Sequence, residues 1–166
     1  MYEPIVLVLV LVVVLEDEYE YDDEDDMKEI GIGLLGFGTV GAGVVEGLQK
    51  NGDLLARRLG VRLVLRRIAD VDLKTDRGVK VPRAMLTRDG NEVIHDPSVD
   101  VVIELIGGTK VAKEFMLKAL RLGKPVVTAN KALLAEHGDE IFRTAEAHRT
   151  GVHFEASVGG GIPIIR

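Results

Sequence analysis

The stretch GIGLLGFGTVGAGVV, residues 31–45, decides the fold of this chain. It holds six glycines among fifteen residues, although the apolar residues around them are typical of a protein core. Glycine inside a helix or strand costs about 0.5–1 kcal/mol relative to alanine, so the backbone needs a reason for this density. The apolar residues at 30–35 predict a strand, and Val40, Val44 and Leu48 predict one face of a helix that follows it.

The glycines between these two elements follow the pattern Gly36-x-Gly38-x-x-Gly41. Glycines at this spacing permit a tight turn, let the backbone approach a diphosphate, and bring the helix close to the strand. The amide groups at the start of the helix then face the anion. The pattern alone also occurs in ordinary turns, but its place between a strand and a helix at the start of a domain predicts a dinucleotide site.

The rest of the chain alternates between short apolar runs and longer segments of helical periodicity. Strands are predicted at residues 62–69, 99–106, 125–129 and 152–157. Helices are predicted at 91–95, 110–122 and 132–150, with Val111, Phe115 and Ala119 on one face of the second. Strands joined by helices of this length predict an α/β fold, a doubly wound parallel sheet of the Rossmann type.

Charge is unevenly distributed along the chain. Residues 1–26 contain ten acidic residues and no Lys or Arg, whereas residues 27–166 contain 17 acidic and 21 basic residues. This small positive excess suits small anions but is too weak to indicate nucleic acid as a partner. The chain has no cysteine, which excludes disulfides, thiolate catalysis and cysteine metal sites.

Residues 1–26 are predicted to lie outside the fold, as an acidic and apolar extension. Their apolar run at 5–15 has eleven residues, whereas a membrane-spanning helix needs about 20, so no membrane span is predicted. Nine acidic residues among the eleven at 16–26 repel one another and favour a disordered or loosely attached segment. The domain is expected to begin at Met27, and we predict one dinucleotide-binding domain over residues 27–166.

An acidic residue at the end of the second strand usually binds the adenosine ribose of such a cofactor. Asp70 ends that predicted strand, although it lies 29 residues after Gly41 rather than about 20. Asp70 favours NAD, whereas nearby basic residues could pair with a 2′-phosphate and favour NADP. These residues are Arg66, Arg67, Lys74 and Arg77. For either of the first two alone, a solvated strand end is the simpler interpretation, so the choice of cofactor stays open.

Ligands of doubly wound sheets lie over the carboxyl ends of the strands. Three loops leave such ends, GFGT at 36–39, GGT at 107–109 and TANK at 128–131, and we expect them to meet in one crevice. Thr109 is placed to cap the next helix. Lys131 starts a helix, where the helix dipole disfavours a cation, so a phosphate, ribose or substrate carboxylate would explain its position. The alternative is a surface lysine without a role.

The segment FEASVGGGIPII, residues 154–165, combines Glu155 with three successive glycines. Hard cations bind carboxylate and backbone carbonyl oxygens, so this segment is a candidate cation loop. A glycine-rich exit from the sheet would explain the glycines equally well.

Four segments together resemble the N-terminal nucleotide-binding part of homoserine dehydrogenase. In order, they are GLLGFGTVG, VDVVIELIGGT, VVTANKALLA and FEASVGGGIPII, and the resemblance covers residues 28–166. It implies the interconversion of L-aspartate 4-semialdehyde and L-homoserine with NAD(P), in threonine and methionine biosynthesis. It also implies a small-molecule substrate, a cytoplasmic location and a homo-oligomer at full length.

The resemblance implies roles for single residues. The residues at the cofactor diphosphate would be Phe37, Gly38, Thr39 and Val40, which lie between Gly36 and Gly41 of the glycine pattern. Those on the nicotinamide side would be Gly107 and Thr109. Lys131 would reach the nicotinamide ribose and the substrate as a catalytic residue. The family's monovalent-cation site, for Na⁺ or K⁺, would correspond to Glu155 with the carbonyl groups of Val158, Gly160 and Ile162.

In the family, the catalytic domain follows the position of Arg166, with acidic substrate ligands and a second lysine. The resemblance therefore implies that this chain is a cofactor-binding fragment that is inactive alone. The alternative is a non-catalytic nucleotide-binding or regulatory module.

Overall fold

The structure of the chain, a computed structural model, describes residues 27–154. Its strands are β1 (Glu29–Leu35), β2 (Arg62–Ala69), β3 (Leu86–Thr87), β4 (Val101–Glu104), β5 (Val126–Thr128) and β6 (Val152–His153). Its helices are α1 (Thr39–Leu59), α2 (Gly90–Ile94), α3 (Lys110–Arg121) and α4 (Lys131–Ala147), and a 3-10 turn at Arg83–Met85 precedes β3. The strands form one sheet in the order β3-β2-β1-β4-β5-β6, and all neighbouring pairs are parallel.

Each face of this sheet has its own apolar core. Side chains alternate between the two faces along a strand. Ile32 and Leu34 of β1 therefore join the core that includes Val45 and Leu48 of α1. Leu35 joins the other core, which contains the buried residues of α2, α3 and α4. Helices cover both faces, and the predicted doubly wound α/β fold is confirmed.

The strand order reverses between β1 and β4. From β1 the chain moves outward to β2 and β3, then returns past β1 to β4 and continues outward to β5 and β6. The carboxyl ends of β1 and β4 therefore flank the point where doubly wound folds bind their ligands.

Both glycines in β1 are explained by packing. A Cβ atom on Gly33 would lie 2.6 Å from the side chain of Val93 in α2. One on Gly31 would lie 1.8 Å from the carbonyl oxygen of Ser98, in the loop before β4. These distances are too short for a side chain, so the glycines let α2 and this loop lie directly on the strand.

The predicted buried faces of two helices are partly wrong. Val40 in α1 is 58 % exposed and Val111 in α3 is 51 % exposed, because the helices turn other residues toward the sheet. The buried residues of α1 include Gly41, Ala42, Val45 and Leu48, and those of α3 are Ala112, Met116, Leu117, Ala119 and Leu120. Small residues at the start of each buried face allow the helix to approach the sheet closely.

Element lengths also differ from the prediction. β4 and β5 are shorter than the apolar runs that contain them, and β3 was missed because two residues show no periodicity. α4 ends at Ala147 rather than 150, since Arg149 takes a left-handed conformation with φ 53°. Residues 1–26, and the part of the last predicted strand beyond residue 154, lie outside the described residues.

Candidate functional site

The three predicted loops adjoin one another at the carboxyl edge of the sheet. The loop after β4 is linked to the end of β1 by the backbone N–H of Leu105, which donates to the carbonyl of Leu35 at 2.8 Å. The Asn130 side-chain amide, after β5, donates to the carbonyls of Ile106 and Gly108 at 3.2 and 2.7 Å. The loops after β4 and β5 are thus joined directly.

Two positions of the glycine-rich turn leave no space for a side chain. Gly36 has φ +98°, and a Cβ atom there would also lie 2.6 Å from the carbonyl oxygen of Leu105. A Cβ atom on Gly41 would lie 2.2 Å from the carbonyl oxygen of Gly36. The first glycine therefore makes the tight turn and the third lets α1 approach it, as the pattern predicts.

Gly38 differs, because a Cβ atom there would meet no described atom within 4 Å. It is the N-cap of α1 in an extended conformation that any residue can adopt, with φ −71° and ψ −159°. No described side chain caps this helix, and its first turn holds no acidic residue. The amide groups and the positive end of the helix dipole are therefore available for an anion.

Asp70 lies beside this turn, at the carboxyl end of β2. Its carboxylate accepts a 2.5 Å hydrogen bond from the backbone N–H of Phe37 and a 2.7 Å bond from that of Asp72. Phe37 itself is buried, whereas Thr39 and Val40 are exposed at the start of α1. The structure thus brings Asp70 and the glycine-rich turn together despite their long separation in sequence.

The basic residues of β2 are engaged elsewhere. Arg66 forms a 2.6 Å ion pair with Glu29, which begins β1 and lies at the opposite, amino edge of the sheet. Arg67 pairs with Asp96 at 3.2 Å, in the loop that precedes β4. Both arginines are therefore partly buried and paired with carboxylates rather than solvated at a strand end.

The other two basic residues follow Asp70 in the next loop. Arg77 pairs with Asp72 at 3.2 Å, and Lys74 is exposed. The pKa of Asp72 is lowered to about 2, chiefly by the hydrogen bond from the Thr75 hydroxyl. This loop therefore carries the Asp72 carboxylate as well as two cations, and one of these cations, Arg77, is already paired with it.

On the other side of the edge, two helices begin with lysine. Lys131 is the first residue of α4, where Asn130 caps the helix by accepting the N–H of Leu133 at 3.1 Å. Lys110 holds the same position in α3, behind Thr109, whose side chain makes no cap hydrogen bond. Both lysines are exposed. The sequence prediction named only Lys131.

Glu104 is the residue that sequence reasoning missed. It ends β4 with 0 % exposure, and its carboxylate accepts from the Thr128 hydroxyl at 2.5 Å and the Ile106 backbone N–H at 2.6 Å. Burial raises the pKa of Glu104, while hydrogen bonds from Thr128, Ile106 and Asn130 oppose that rise. The available signal was one acidic residue inside the apolar run VVIELI, which the prediction treated as a continuous apolar strand.

Gly107 and Gly108 lie exposed between Glu104 and Thr109. Gly108 has φ +82°, whereas Gly107 has no such requirement and a Cβ atom there would meet no described atom within 4 Å. Like Gly38, Gly107 is a glycine at this edge that the internal packing of residues 27–154 does not explain.

The predicted cation site, formed by Glu155, Val158, Gly160 and Ile162, lies outside the described residues and stays a prediction. Within residues 27–154, no cluster of three or more His, Asp or Glu side chains is placed to hold a metal ion. None of the helices in this range combines the length and apolar character needed to cross a bilayer.

Comparisons with known proteins agree with this geometry. The family model described as "Homoserine dehydrogenase, NAD binding domain" matches residues 36–155. A homoserine dehydrogenase of Bacillus subtilis is 46 % identical over 140 residues, which are 84 % of this chain and 32 % of that protein. The chain therefore spans about a third of the length of such relatives.

Solved structures of homoserine dehydrogenases are also similar to this chain. A homoserine dehydrogenase from Thiobacillus denitrificans superposes with a TM-score of 0.77 and 44 % identity, covering 83 % of this chain and 32 % of the other. A hyperthermophilic archaeal homoserine dehydrogenase in complex with NADPH superposes with a TM-score of 0.64 and 25 % identity, over 82 % and 46 % of the two chains.

Proposed function

The chain belongs to the homoserine dehydrogenase family, as its NAD-binding domain, and from this premise we propose that it binds NAD(P) across the carboxyl edge of the sheet. The diphosphate would lie on the turn at residues 36–41, and Asp70 would accept a hydrogen bond from the adenosine ribose. The nicotinamide would lie by Gly107, Thr109 and Lys131. We call the turn with Asp70 the adenosine side, and the loops after β4 and β5 the nicotinamide side.

One observation carries this proposal, the open space over Gly38 at the uncapped start of α1. Nothing in the described packing requires glycine at this position. A ligand that approaches the backbone closely does require it, and a diphosphate on a helix N-terminus is such a ligand.

We further propose that the full-length protein interconverts L-aspartate 4-semialdehyde and L-homoserine. When bound, NAD(P) supplies the hydride acceptor for homoserine oxidation or the donor for semialdehyde reduction. The substrate oxygen loses a proton in the first direction and gains one in the second, so a group that can accept and return that proton must lie within hydrogen-bond reach of it. Lys131 would position the nicotinamide ribose and the substrate close to that group. On the resemblance alone, we also propose a cytoplasmic homo-oligomer.

Cofactor binding is tested by calorimetric titration of this chain with NADH and NADPH, comparing Gly38→Val with Gly52→Val. Both positions have no described atom within 4 Å of an added Cβ. Gly52 lies about 21 Å further along α1, at 1.5 Å per residue. Gly38→Val should weaken both cofactors by about 100-fold or more, because the side chain fills the space that the diphosphate needs.

Gly52→Val should bind both cofactors as the unaltered chain does. Equal affinities in the two variants would overturn the placement of the diphosphate. Homoserine-dependent reduction of NAD(P), measured on this chain and on a full-length protein that contains it, tests the proposed activity separately.

A further inference from the structure

We propose that Glu104 is a positioning residue for the nicotinamide side, where it holds the loop at 107–109 and the start of α4 in one arrangement through Thr128 and Asn130. This proposal rests on the proposed binding of NAD(P) at the same edge. It assigns a function to a buried carboxyl group that the cofactor contacts proposed above do not use.

The hydrogen bonds around Glu104 reach both nicotinamide-side loops. One carboxylate oxygen accepts the N–H of Ile106, which leads into the loop after β4. The other accepts the hydroxyl of Thr128, which ends β5. A single side chain therefore fixes the ends of two adjacent strands relative to each other.

The network continues from Thr128 to the start of α4. The Thr128 oxygen accepts the backbone N–H of Asn130 at 3.0 Å, while its own hydroxyl proton points to Glu104. Asn130 then bonds the carbonyls of Ile106 and Gly108 and caps α4 at Leu133. Lys131 is the next residue, so this cap fixes the position of its backbone.

The arrangement is more than ordinary core packing. An apolar residue could fill the space of Glu104 without the cost of burying a carboxyl group, which is substantial unless hydrogen bonds compensate it. Burial indeed raises the pKa of this group. The adjoining loop contains Gly107, which no described atom requires to be glycine. A costly buried group thus supports a loop that is open toward a ligand.

The experiment compares two ligands on this chain by calorimetry, NADH and ADP, which lacks both the nicotinamide ring and its ribose. Glu104→Gln replaces one acceptor by a donor and Thr128→Val removes the hydroxyl group. Each should weaken NADH by about tenfold, the order of one lost hydrogen bond, and change ADP by less than about twofold. A purely structural role would weaken both ligands equally, so the ratio of the two dissociation constants is the diagnostic quantity.

Thr87→Val is the matched control. Thr87 also ends a strand, is 8 % exposed, and its hydroxyl oxygen accepts the N–H of Asp89, two residues on, at 3.1 Å. It lies in β3, on the other half of the sheet. We expect Thr87→Val to have the same ratio of dissociation constants as the unaltered chain. Thr128→Ser, which retains the hydroxyl group, should also have that ratio, unlike Thr128→Val.

The outcomes separate the two proposals. An unaltered chain that binds neither ligand overturns the proposed function. An unaltered chain that binds NADH, together with unchanged ratios in Glu104→Gln and Thr128→Val, overturns only the positioning role. Should Glu104→Gln fail to fold, Thr128→Val and Thr128→Ser decide between the outcomes. A ratio of dissociation constants that changes in Thr128→Val and stays at the value of the unaltered chain in Thr128→Ser supports the role. Equal ratios in the two variants overturn it.

Discussion

The adenosine side and the nicotinamide side of this edge are held in place by different means. On the adenosine side, Gly36 and Gly41 let backbone approach backbone, and the half-buried Asp70 ties the turn to β2. On the nicotinamide side, Glu104 and Thr128 form a buried side-chain network below Gly107 and Gly108, where an added Cβ atom would meet no described atom within 4 Å. Steric exclusion shapes the first region, and hydrogen bonding shapes the second.

The difference shows how each region responds to mutation. A side chain added where backbone atoms lie within 3 Å forces the fold to shift. A polar group removed from a network leaves its buried partners unsatisfied. The adenosine side should therefore be sensitive to added atoms, and the nicotinamide side to lost polar atoms.

The largest expected effect is on Gly36. Gly36→Ala should reduce the free energy of unfolding by about 3 kcal/mol, because alanine is strained at positive φ and would clash with the Leu105 carbonyl. Gly107→Ala, on the nicotinamide side, should change it by less than about 0.5 kcal/mol. Urea denaturation of both variants provides the measurement. Similar losses in the two would remove the contrast between the regions.

A second test concerns Asp70 and the choice of cofactor. Asp70→Asn should lower the ratio of the NADPH to the NADH dissociation constant by about tenfold, since in the proposed placement the carboxylate would bind the ribose 2′-OH and repel a 2′-phosphate. Titrations of the variant and the unaltered chain with both cofactors measure this ratio. Glu29→Gln at the amino edge is the control, and it should not alter the ratio. An unchanged ratio in Asp70→Asn would place the adenosine ribose elsewhere.

A third test uses pH on the nicotinamide side. The pKa of Glu104 is raised above the ordinary value of 4.5, so the folded state favours the protonated group. Its contribution to stability is therefore complete below pH 4.5 and is lost as pH rises through the folded pKa. The free energy of unfolding of the unaltered chain should fall relative to that of Glu104→Gln over this range. Urea denaturation at several pH values measures the difference, and parallel curves would contradict it.

The smallest expected effect is on Lys131. Lys131→Ala should raise the free energy of unfolding by about 0.3–1 kcal/mol, because the positive end of the α4 dipole disfavours a cation. It should also weaken NADH about threefold, the scale of an exposed ion pair. Thermal unfolding and titration provide the two measurements.

Lys110→Ala serves as the control for Lys131, because Lys110 occupies the same position in α3. It should give the same gain in stability with unchanged NADH affinity. An equal loss of affinity in both variants would show that the helix start, and not Lys131 itself, sets the effect.

Periodicity and spacing predicted much of the fold. They gave β2 its observed bounds, located α3 and α4 within three residues at each end, and placed the glycine-rich turn between β1 and α1. They failed at β3, which is too short for a pattern, and at Val40 and Val111, whose exposure depends on which residues the sheet accommodates. Local patterns describe an element well but not the rotation with which it packs.

The candidate site divides in the same way. Gly36, Gly38 and Gly41 could be found in the sequence because glycine is conspicuous wherever backbone geometry demands it. Asp70 could be found because the carboxyl end of a strand is a defined place in this fold. Glu104 could not be assigned from the sequence, since its partners Thr128 and Asn130 lie more than 20 residues away and on another strand or its loop.

The sequence by itself determined the order of strands and helices apart from β3, the parallel sheet that such alternation requires, and the glycine-rich turn, because these depend on local periodicity and backbone sterics. Only the tertiary structure decided that Asp70 bonds the turn through Phe37, that Arg66 and Arg67 pair with acids near the amino edge, and that Glu104 is buried below the nicotinamide side. Hydrogen bonds and ion pairs act over a few ångströms. Their partners are therefore set by the strand order that brings distant segments together.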